Sequence, residues 1–418
     1  MFRCEQSIPM TTRRTRVAGV VLAIVSALLA GCVVEGNPRP ATPELSALDV
    51  GYYSIDPLSE PSERNEQYGR VVESVRMGEA TIDPAEADSS LVFGPKAIGA
   101  QPIPTPVKAT GVLSAPAREV LAKRGMLAGF ATTGMDRESS EPVVGSSRLL
   151  SIILLRFPDA ESARQAATEI DAVDTGVSTE NVAVAIPGYP EAHAHWRPTV
   201  PTMAATMAQD SFVISLLVGH TSTDLTAMAA LAGRALGAQR TRLSDFRATA
   251  VGDIAALPVD RDGMLRRMVN EHPGRWPYPQ VLQVGTGDNA GWDSSIWVSG
   301  VVYGPHAVFL RGPRPGTQRT EAEAFIGQAR LHRFPSASMA RREYEENFRI
   351  GGGLREIPGP NGVPDAKCVQ NLASAESVTN YACWVLSGRY VAIYYGRDET
   401  HTRQKVAAQF ILLQRDPA

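Results

Sequence analysis

Two kinds of hydrophobic periodicity alternate along this chain, and together they predict a mixed α+β protein. Near-continuous apolar runs, rich in β-branched residues, predict buried strands at residues 148–157, 211–219 and 389–397. Each run is followed by a segment in which apolar residues recur at spacings of three and four, which marks one face of a helix. We therefore expect largely antiparallel sheets with helices packed on one face, in a ferredoxin-like or similar α+β arrangement.

The predicted helices are supported by residues typical of helix ends. Asp159 and Ser336 stand where a side chain can cap a first turn, and Gly237 is expected to end its helix. The helices are predicted at residues 63–78, 160–170, 221–237, 337–348 and 402–413. The stretch from Gly94 to Ala115 is rich in Pro and Gly, which predicts a surface loop.

A nine-residue frame occurs twice, as RFPDAESAR at 156–164 and RFPSASMAR at 333–341. The two copies are 177 residues apart. Other pairs fall in nearly the same register: Ile82-Asp83 with Val259-Asp260, Phe212 with Tyr390, and Gly219 with Gly396. This common register predicts an internal duplication, with one α+β domain at 61–245 and a second at 246–418.

The N-terminus has the features of an export signal. A cluster of arginines at positions 13, 14 and 16 precedes the uncharged run Val17 to Ala30, which is shorter than the roughly 20 apolar residues of a membrane span. Cys32 directly follows Leu-Ala-Gly and resembles the Cys of the bacterial lipobox. The resemblance implies a signal peptide at 1–31, cleavage before Cys32 and attachment of acyl chains such as palmitate to its thiol. An ordinary signal peptide is the alternative, and Met1 and Met10 are both possible starts.

The residues after Cys32 predict a tether, and the charge limits the partners. Pro38, Pro40 and Pro43 indicate a stiff linker over residues 32–60. The chain has 41 basic and 44 acidic residues without a Lys/Arg run, so we expect no nucleic-acid partner. The expected partners are the membrane, through the lipid anchor, and an envelope protein, a glycan or a lipid.

Two cysteines remain in the exported part, Cys368 and Cys383. Since disulfides persist outside the cytoplasm, we expect these two to pair, closing a loop of about fifteen residues. A metal site is the alternative, although no second Cys pair lies nearby.

Motifs that would indicate catalysis or a cofactor are absent from the sequence. It contains no G-x-S-x-G elbow, no P-loop and no G-x-G-x-x-G after a strand. His193 and His195 would share one face of a strand and could ligate a metal, but an exposed hairpin is the alternative. We assign no catalytic residue, metal ligand or cofactor.

The sequence concentrates aromatic residues after position 270. Trp276, Tyr278, Trp292 and Trp297 could form an exposed platform for a sugar or a peptide. The alternative is that they pack between the lobes or into the second core.

The lipobox, the segments LDVGYYSIDP (48–57) and TIDPAEADSSLVF (81–93), and the two RFP units resemble a family of actinobacterial cell-envelope lipoproteins of unknown function. The resemblance implies an N-terminal and a C-terminal domain at the outer face of the cell membrane, and it supplies no catalytic residues. We expect a non-catalytic, membrane-anchored module that binds a ligand or a protein. The alternatives are an extracytoplasmic hydrolase whose site assembles only in the fold, and a lipid or glycolipid carrier.

Overall fold

The computed structural model describes residues 44–94, 101–109, 112–138, 143–272, 274–284, 294–307, 320–347, 353–372 and 379–415. The predicted signal peptide and Cys32 lie outside these residues. From Glu44 onward the chain forms one compact unit, which contains two sheets.

The N-terminal lobe is built on a seven-stranded antiparallel sheet with strand order β1-β2-β3-β7-β6-β5-β4. Its helices are α1 (Glu66–Ala80), α2 (Pro84–Ala87), α3 (Ala115–Lys123), α4 (Ala160–Thr175) and α5 (Leu225–Ser244). Its strands are β1 (Gln101–Pro102), β2 (Ala128–Met135), β3 (Leu149–Arg156), β4 (Val182–Ala183), β5 (His193–Trp196), β6 (Thr202–Gln209) and β7 (Phe212–Gly219).

The C-terminal lobe is built on an eight-stranded antiparallel sheet with strand order β8-β9-β10-β11-β15-β14-β13-β12. Its strands are β8 (Gln280–Val284), β9 (Ser294–Tyr303), β10 (Ala322–Ile326), β11 (Ala329–Arg333), β12 (Leu354–Ile357), β13 (Ala366–Asn371), β14 (Tyr381–Ser387) and β15 (Tyr390–Gly396). Its helices are α6 (Ala337–Asn347) and α7 (Glu399–Arg415). The predicted α+β class with tandem antiparallel sheets is confirmed.

The helices lie on both faces of each sheet, which differs from the one-face packing expected from the sequence. In β3, Ile152 and Leu154 belong to the core beneath α5, whereas Ile153 and Leu155 pack against α3 and α4. In the C-terminal lobe, α7 and α6 likewise cover opposite faces. A strand covered on both faces must be apolar at every position, which explains the unbroken apolar run of β3.

The two sheets share one strand order, as the internal duplication predicts. When β9–β15 are matched in chain order to β1–β7, each strand has equivalent neighbours in the two sheets. Strand β8 has no counterpart in the N-terminal sheet. Arg156 pairs with Phe212 across β3 and β7, and Arg333 pairs with Tyr390 across β11 and β15. The two RFP units are therefore equivalent in their strand pairing as well as in their sequence.

The two RFP phenylalanines have matching surroundings. Phe157 and Phe334 are both fully buried. The Phe157 N–H donates to the Ser211 carbonyl at 2.8 Å, and the Phe334 N–H donates to the Arg389 carbonyl at 2.9 Å. In both cases the acceptor residue directly precedes the strand that comes last in its lobe's sequence, β7 or β15. Each Phe therefore links the end of a central strand to the start of the strand that pairs with it.

A pair of buried glutamines extends the match and corrects one predicted correspondence. Gln239 of α5 accepts from Ile82 N–H at 3.1 Å and donates to the Ala80 carbonyl at 2.6 Å. Gln409 of α7 accepts from Val269 N–H at 3.1 Å and donates to a carbonyl two residues earlier, at 2.6 Å. The structural partner of Ile82 is therefore Val269, and not Val259 as the register of 177 residues predicts.

Residues 44–58, which we call the strap, pack on the C-terminal lobe instead of continuing the predicted tether. Leu48 and Tyr53 are buried in the core that α7 covers. Gln404 donates to the Asp49 carboxylate at 3.0 Å, and Arg415 contacts Asp56 at 2.8 Å. Residues 44–58 of the predicted tether (32–60) are therefore part of the C-terminal lobe.

The predicted disulfide is present. Cys368 and Cys383 are directly opposite each other on β13 and β14 and form a disulfide bond across the two strands. Both side chains are fully buried. The bond therefore joins two neighbouring strands of the C-terminal lobe.

Two local predictions are wrong. The predicted loop from Gly94 to Ala115 contains β1 and a buried segment, residues 101–104, that pairs with β2. Helix α5 continues seven residues past Gly237, where the sequence predicted its end. An added Cβ at Gly237 would lie 2.6 Å from the Tyr189 hydroxyl, so this glycine, within the helix, allows the Tyr189 side chain to pack closely against it.

Candidate functional site

A groove of about 450 Å³ lies where the two lobes meet. It is open to solvent and combines parts of three elements: the first two turns of α1, the segment after β1, and the start of β8. The lining residues are Glu66, Gln67, Arg70, Val71, Pro104, Thr105, Lys108, Pro279 and Gln280.

Helix α1 forms one wall of the groove and is fixed at its start. The Asn65 side chain caps the helix by accepting from the N–H groups of Gln67 and Tyr68, at 2.9 and 3.2 Å. An added Cβ at Gly69 would collide with the Ile254 carbonyl oxygen, so α1 packs directly on the 3₁₀ turn Val251–Ala256. The wall is therefore held by backbone contacts on its far side.

The charged groups of the groove differ in how they are paired. Glu66 accepts from Arg70 Nε and Nη2 at 3.0 and 2.8 Å, and Arg70 also donates to the Met126 carbonyl at 3.1 Å. Lys108 lies in the 3₁₀ turn Pro106–Ala109. In the described part of the chain, no carboxylate pairs with its ammonium group. The groove thus holds one neutralised ion pair and one unpaired cation.

Contacts between the lobes begin beside the groove and continue along α1. The rings of Tyr68 and Tyr278 stack with centroids 4.3 Å apart and planes 15° apart. Farther along α1, Glu79 pairs with Arg261 at 2.9 Å. His306 Nε2 lies 2.9 Å from the Thr81 carbonyl oxygen. These contacts hold both lobes against the same helix.

The predicted aromatic platform is not assembled as expected. Trp276 is 8 % exposed and belongs to the core of the C-terminal lobe, so it cannot present its ring to a ligand. Tyr278 is half-buried and stacks on Tyr68 beside the groove. Trp292 lies outside the described residues, and Trp297 is described only as a backbone position in β9.

The two histidines of β5 pack against α4. His195 Nδ1 lies 2.8 Å from Asp171 Oδ1, and His193 Nε2 lies 3.2 Å from Thr168 Oγ1. His195 is buried, so neither the metal pair nor the exposed hairpin describes it. Within the described residues, no group of three or more His, Cys, Asp or Glu side chains is arranged to hold a metal ion.

A carboxylate adjacent to this histidine pair has a perturbed pKa. Burial raises the pKa of Asp174 above its ordinary 3.8, while the hydrogen bond from the Ser114 hydroxyl, at 2.8 Å, opposes the rise. The hydroxyl of Ser114 is engaged with Asp174, and the described contacts of His195 reach Asp171 and not a hydroxyl. Ser114 and His195 therefore do not form the nucleophile–base hydrogen bond that indicates a hydrolase. The hydroxyl beside His193 is that of Thr168, which donates to the Arg164 carbonyl at 3.1 Å.

Both lobes match one family. The N-terminal part of "Domain of unknown function (DUF7373)" matches residues 60–259, and the C-terminal part matches residues 264–416. The chain belongs to the DUF7373 family. The two-part organisation implied by the sequence resemblance is thereby confirmed for this DUF7373 protein.

Other comparisons add little to this assignment. No curated protein matches the DUF7373 chain. The extracellular domain of PknH from Mycobacterium tuberculosis matches with a TM-score of 0.27 and 10 % identity, over 45 % of this chain and 100 % of that one. This likeness is too weak to support a statement about function. Among the described helices, none combines the length and apolar character needed to cross a membrane.

Sequence reasoning did not find the groove of the DUF7373 protein. Its residues are a mixture of polar and apolar types and lie in three separate stretches, so no local pattern joins them. One signal was present: Lys108 is the one charged residue between Lys96 and Arg118, and it follows three prolines in a short stretch. A lone cation in a neutral, Pro-rich segment is weak evidence until the fold places it in a cavity.

Proposed function

We propose that this DUF7373 protein is an actinobacterial cell-envelope lipoprotein, anchored through acyl chains on Cys32 and exposed at the outer face of the membrane. The support comes from the sequence: the arginine cluster, the short apolar run and the Leu-Ala-Gly-Cys motif at 29–32. Two or more acyl chains make such anchoring stable.

The anchor is tested by mass spectrometry of the mature protein from membranes. We expect an N-terminal peptide that begins at an acylated Cys32, and loss of the protein from the membrane fraction in a Cys32→Ser variant. An unmodified N-terminus at another residue would reject the anchor without affecting the two-lobed body.

We further propose that the body is a non-catalytic module and that the groove between its lobes binds a ligand. The observation that carries this proposal is the groove of about 450 Å³, whose walls come from both lobes. This volume lies within the range of roughly 300–1,000 Å³ typical of small-ligand pockets. Duplicated lobes that share one helix provide a fixed cleft, which suits recognition more than chemistry.

The binding role is tested by NMR with the soluble part, residues 44–418. Mixtures of oligosaccharides, short peptides and lysophospholipids are added to the isotope-labelled protein. We expect at least one class to shift the signals of residues 66–71, 104–108 and 279–280, and a Gln67→Trp variant that fills the groove to abolish the shifts. If no class perturbs these residues, or if the shifts persist in Gln67→Trp, the groove is not the binding site.

A further inference from the structure

We infer that the groove of the DUF7373 protein takes a carbohydrate segment that carries one negatively charged group, and that this group pairs with Lys108. The inference rests on the proposed binding role of the groove and adds the chemical class of its ligand.

The charge of the groove selects the anion. Glu66 and Arg70 cancel each other through their two-contact ion pair, and Arg70 is further engaged by the Met126 carbonyl. Lys108 remains as an uncompensated positive charge in a protein whose formal net charge is −3. A ligand with a single carboxylate or phosphate at this point would supply the missing counter-charge, with a charge-assisted hydrogen bond.

Three uncharged polar side chains of the groove are also unused. Within the described residues, the side chains of Gln67, Thr105 and Gln280 make no hydrogen bond to the rest of the protein. Amides and hydroxyls each offer both a donor and an acceptor. Sugar hydroxyls have the same dual character, so a glycan can satisfy all three side chains at once.

The remaining surface favours a sugar over an extended peptide. Pro104 and Pro279 line the groove from opposite lobes, and although both are largely buried, the atoms that border the groove give it apolar surface that the C–H groups of a sugar can contact. The walls are a helix, a Pro-rich segment and the first residue of a strand. Strands β1 and β8 are the end strands of their sheets, but Pro104 and Pro279, which line the groove beside them, have no N–H to donate to a peptide added as a strand.

Calorimetric titration of residues 44–418 with matched probes tests the inference. The probes are oligogalacturonate and its methyl ester, and a phosphorylated monosaccharide and its unphosphorylated form, so that carboxylate and phosphate sources are distinguished. We expect at least one acidic probe to bind about fivefold or more tightly than its neutral partner, the ratio that corresponds to about 1 kcal/mol for a solvent-accessible ion pair. The advantage should shrink as salt is added.

Variants of one position separate the role of Lys108 from general charge. Lys108→Gln should remove the preference for the acidic probe and leave the neutral probe unchanged, while Lys108→Arg should retain the preference. Lys123→Gln is the matched control, because it removes the same charge from an exposed lysine that pairs with Glu169 on another face. It should leave both affinities unchanged.

Three results would overturn the inference: equal affinity for acidic and neutral probes, unchanged binding in Lys108→Gln, or tighter binding of a hexaglutamate peptide than of any glycan. Each of these can occur while groove signals still shift in the NMR experiment. The ligand class can therefore fail independently of the binding role.

Discussion

Gln239 and Gln409 occupy the same place in the two lobes, and both are completely buried. Each bridges an N–H and a carbonyl two residues apart in a segment that lacks a sheet partner there. We predict that Gln239→Ala and Gln409→Ala each lower the free energy of unfolding by about 1–3 kcal/mol, because each leaves two buried polar groups without a partner. In Gln239→Ala these are the Ile82 N–H and the Ala80 carbonyl. In Gln409→Ala they are the Arg267 carbonyl and the Tyr394 hydroxyl, whereas the Val269 N–H still reaches Tyr394. Urea denaturation measures the change.

The matched control for these variants is Gln67→Ala, since Gln67 is exposed on α1. It should change the unfolding free energy by less than about 0.5 kcal/mol. A loss in the control as large as that in the buried positions would mean that the bridging hydrogen bonds are not the cause.

Asp174 makes stability depend on pH. Burial raises the pKa of this carboxyl above 3.8, so the folded chain keeps the proton at pH values where the unfolded chain has lost it. Stability from this group is therefore greatest at low pH and falls as pH rises through the folded pKa. We predict that Asp174→Asn, which keeps an acceptor for Ser114, becomes progressively more stable relative to the parent as the pH rises above the ordinary carboxyl pKa of 3.8 and through the raised folded pKa.

Denaturation curves at several pH values, compared with those of the exposed Asp253→Asn variant, measure this dependence. If the difference between Asp174→Asn and the parent stays constant with pH or moves the other way, burial does not control the ionisation of Asp174.

At the scale of elements, the bond between β13 and β14 is the clearest source of added stability. It closes a loop with a sequence separation of 15. In the chain-entropy account, the double variant Cys368→Ala, Cys383→Ala should be less stable by about 3 kcal/mol. Reductant should lower the stability of the parent to the same level and have no effect on the variant; a variant as stable as the oxidised parent would contradict the prediction.

Elements whose sequence carries a strong local signal were predicted well. Strands β3, β7 and β15 are nearly continuous apolar runs because both faces are covered, and Asp159 does cap α4 through the Ser162 N–H. Strand β2 was missed: its sequence, AGFATTGM, is rich in small residues and glycine, which have low strand propensity. Its eight buried positions are set by the neighbouring strands, which a local pattern does not reveal.

The candidate site was less predictable than the fold. Its aromatic prediction relied on composition, and burial in the core removes Trp276 from the expected platform. The groove depends on how two lobes meet at α1, and this contact is set by a buried glycine, Gly69, and by ion pairs between distant segments. Such information appears in the sequence only after the three-dimensional arrangement is known.

For the whole molecule, the strap makes the C-terminal lobe discontinuous in sequence. The family match begins at residue 60, but the core of the C-terminal lobe contains Leu48 and Tyr53. We predict that a chain that starts at residue 60 has a lower melting temperature than one that starts at residue 44, because it exposes this part of the core. Differential scanning calorimetry compares the two.

Point variants show whether the effect is local packing. Leu48→Ala should cost about 2–4 kcal/mol, whereas Tyr52→Ala, at a position that is 63 % exposed, should cost much less. Equal melting temperatures for the two chain lengths would mean that the strap contributes no stability.

The position of the strap also orders events during synthesis. Its apolar side chains leave the ribosome before those of either lobe's sheet, yet their binding surface includes α7, which ends at Arg415 and is made almost last. Leu48 and Tyr53 must therefore stay without their native neighbours while more than three hundred residues are added. The strap thus precedes both lobes in the sequence but is the last segment to reach its native position. Any factor that shields nascent hydrophobic segments therefore has the longest time to act on it.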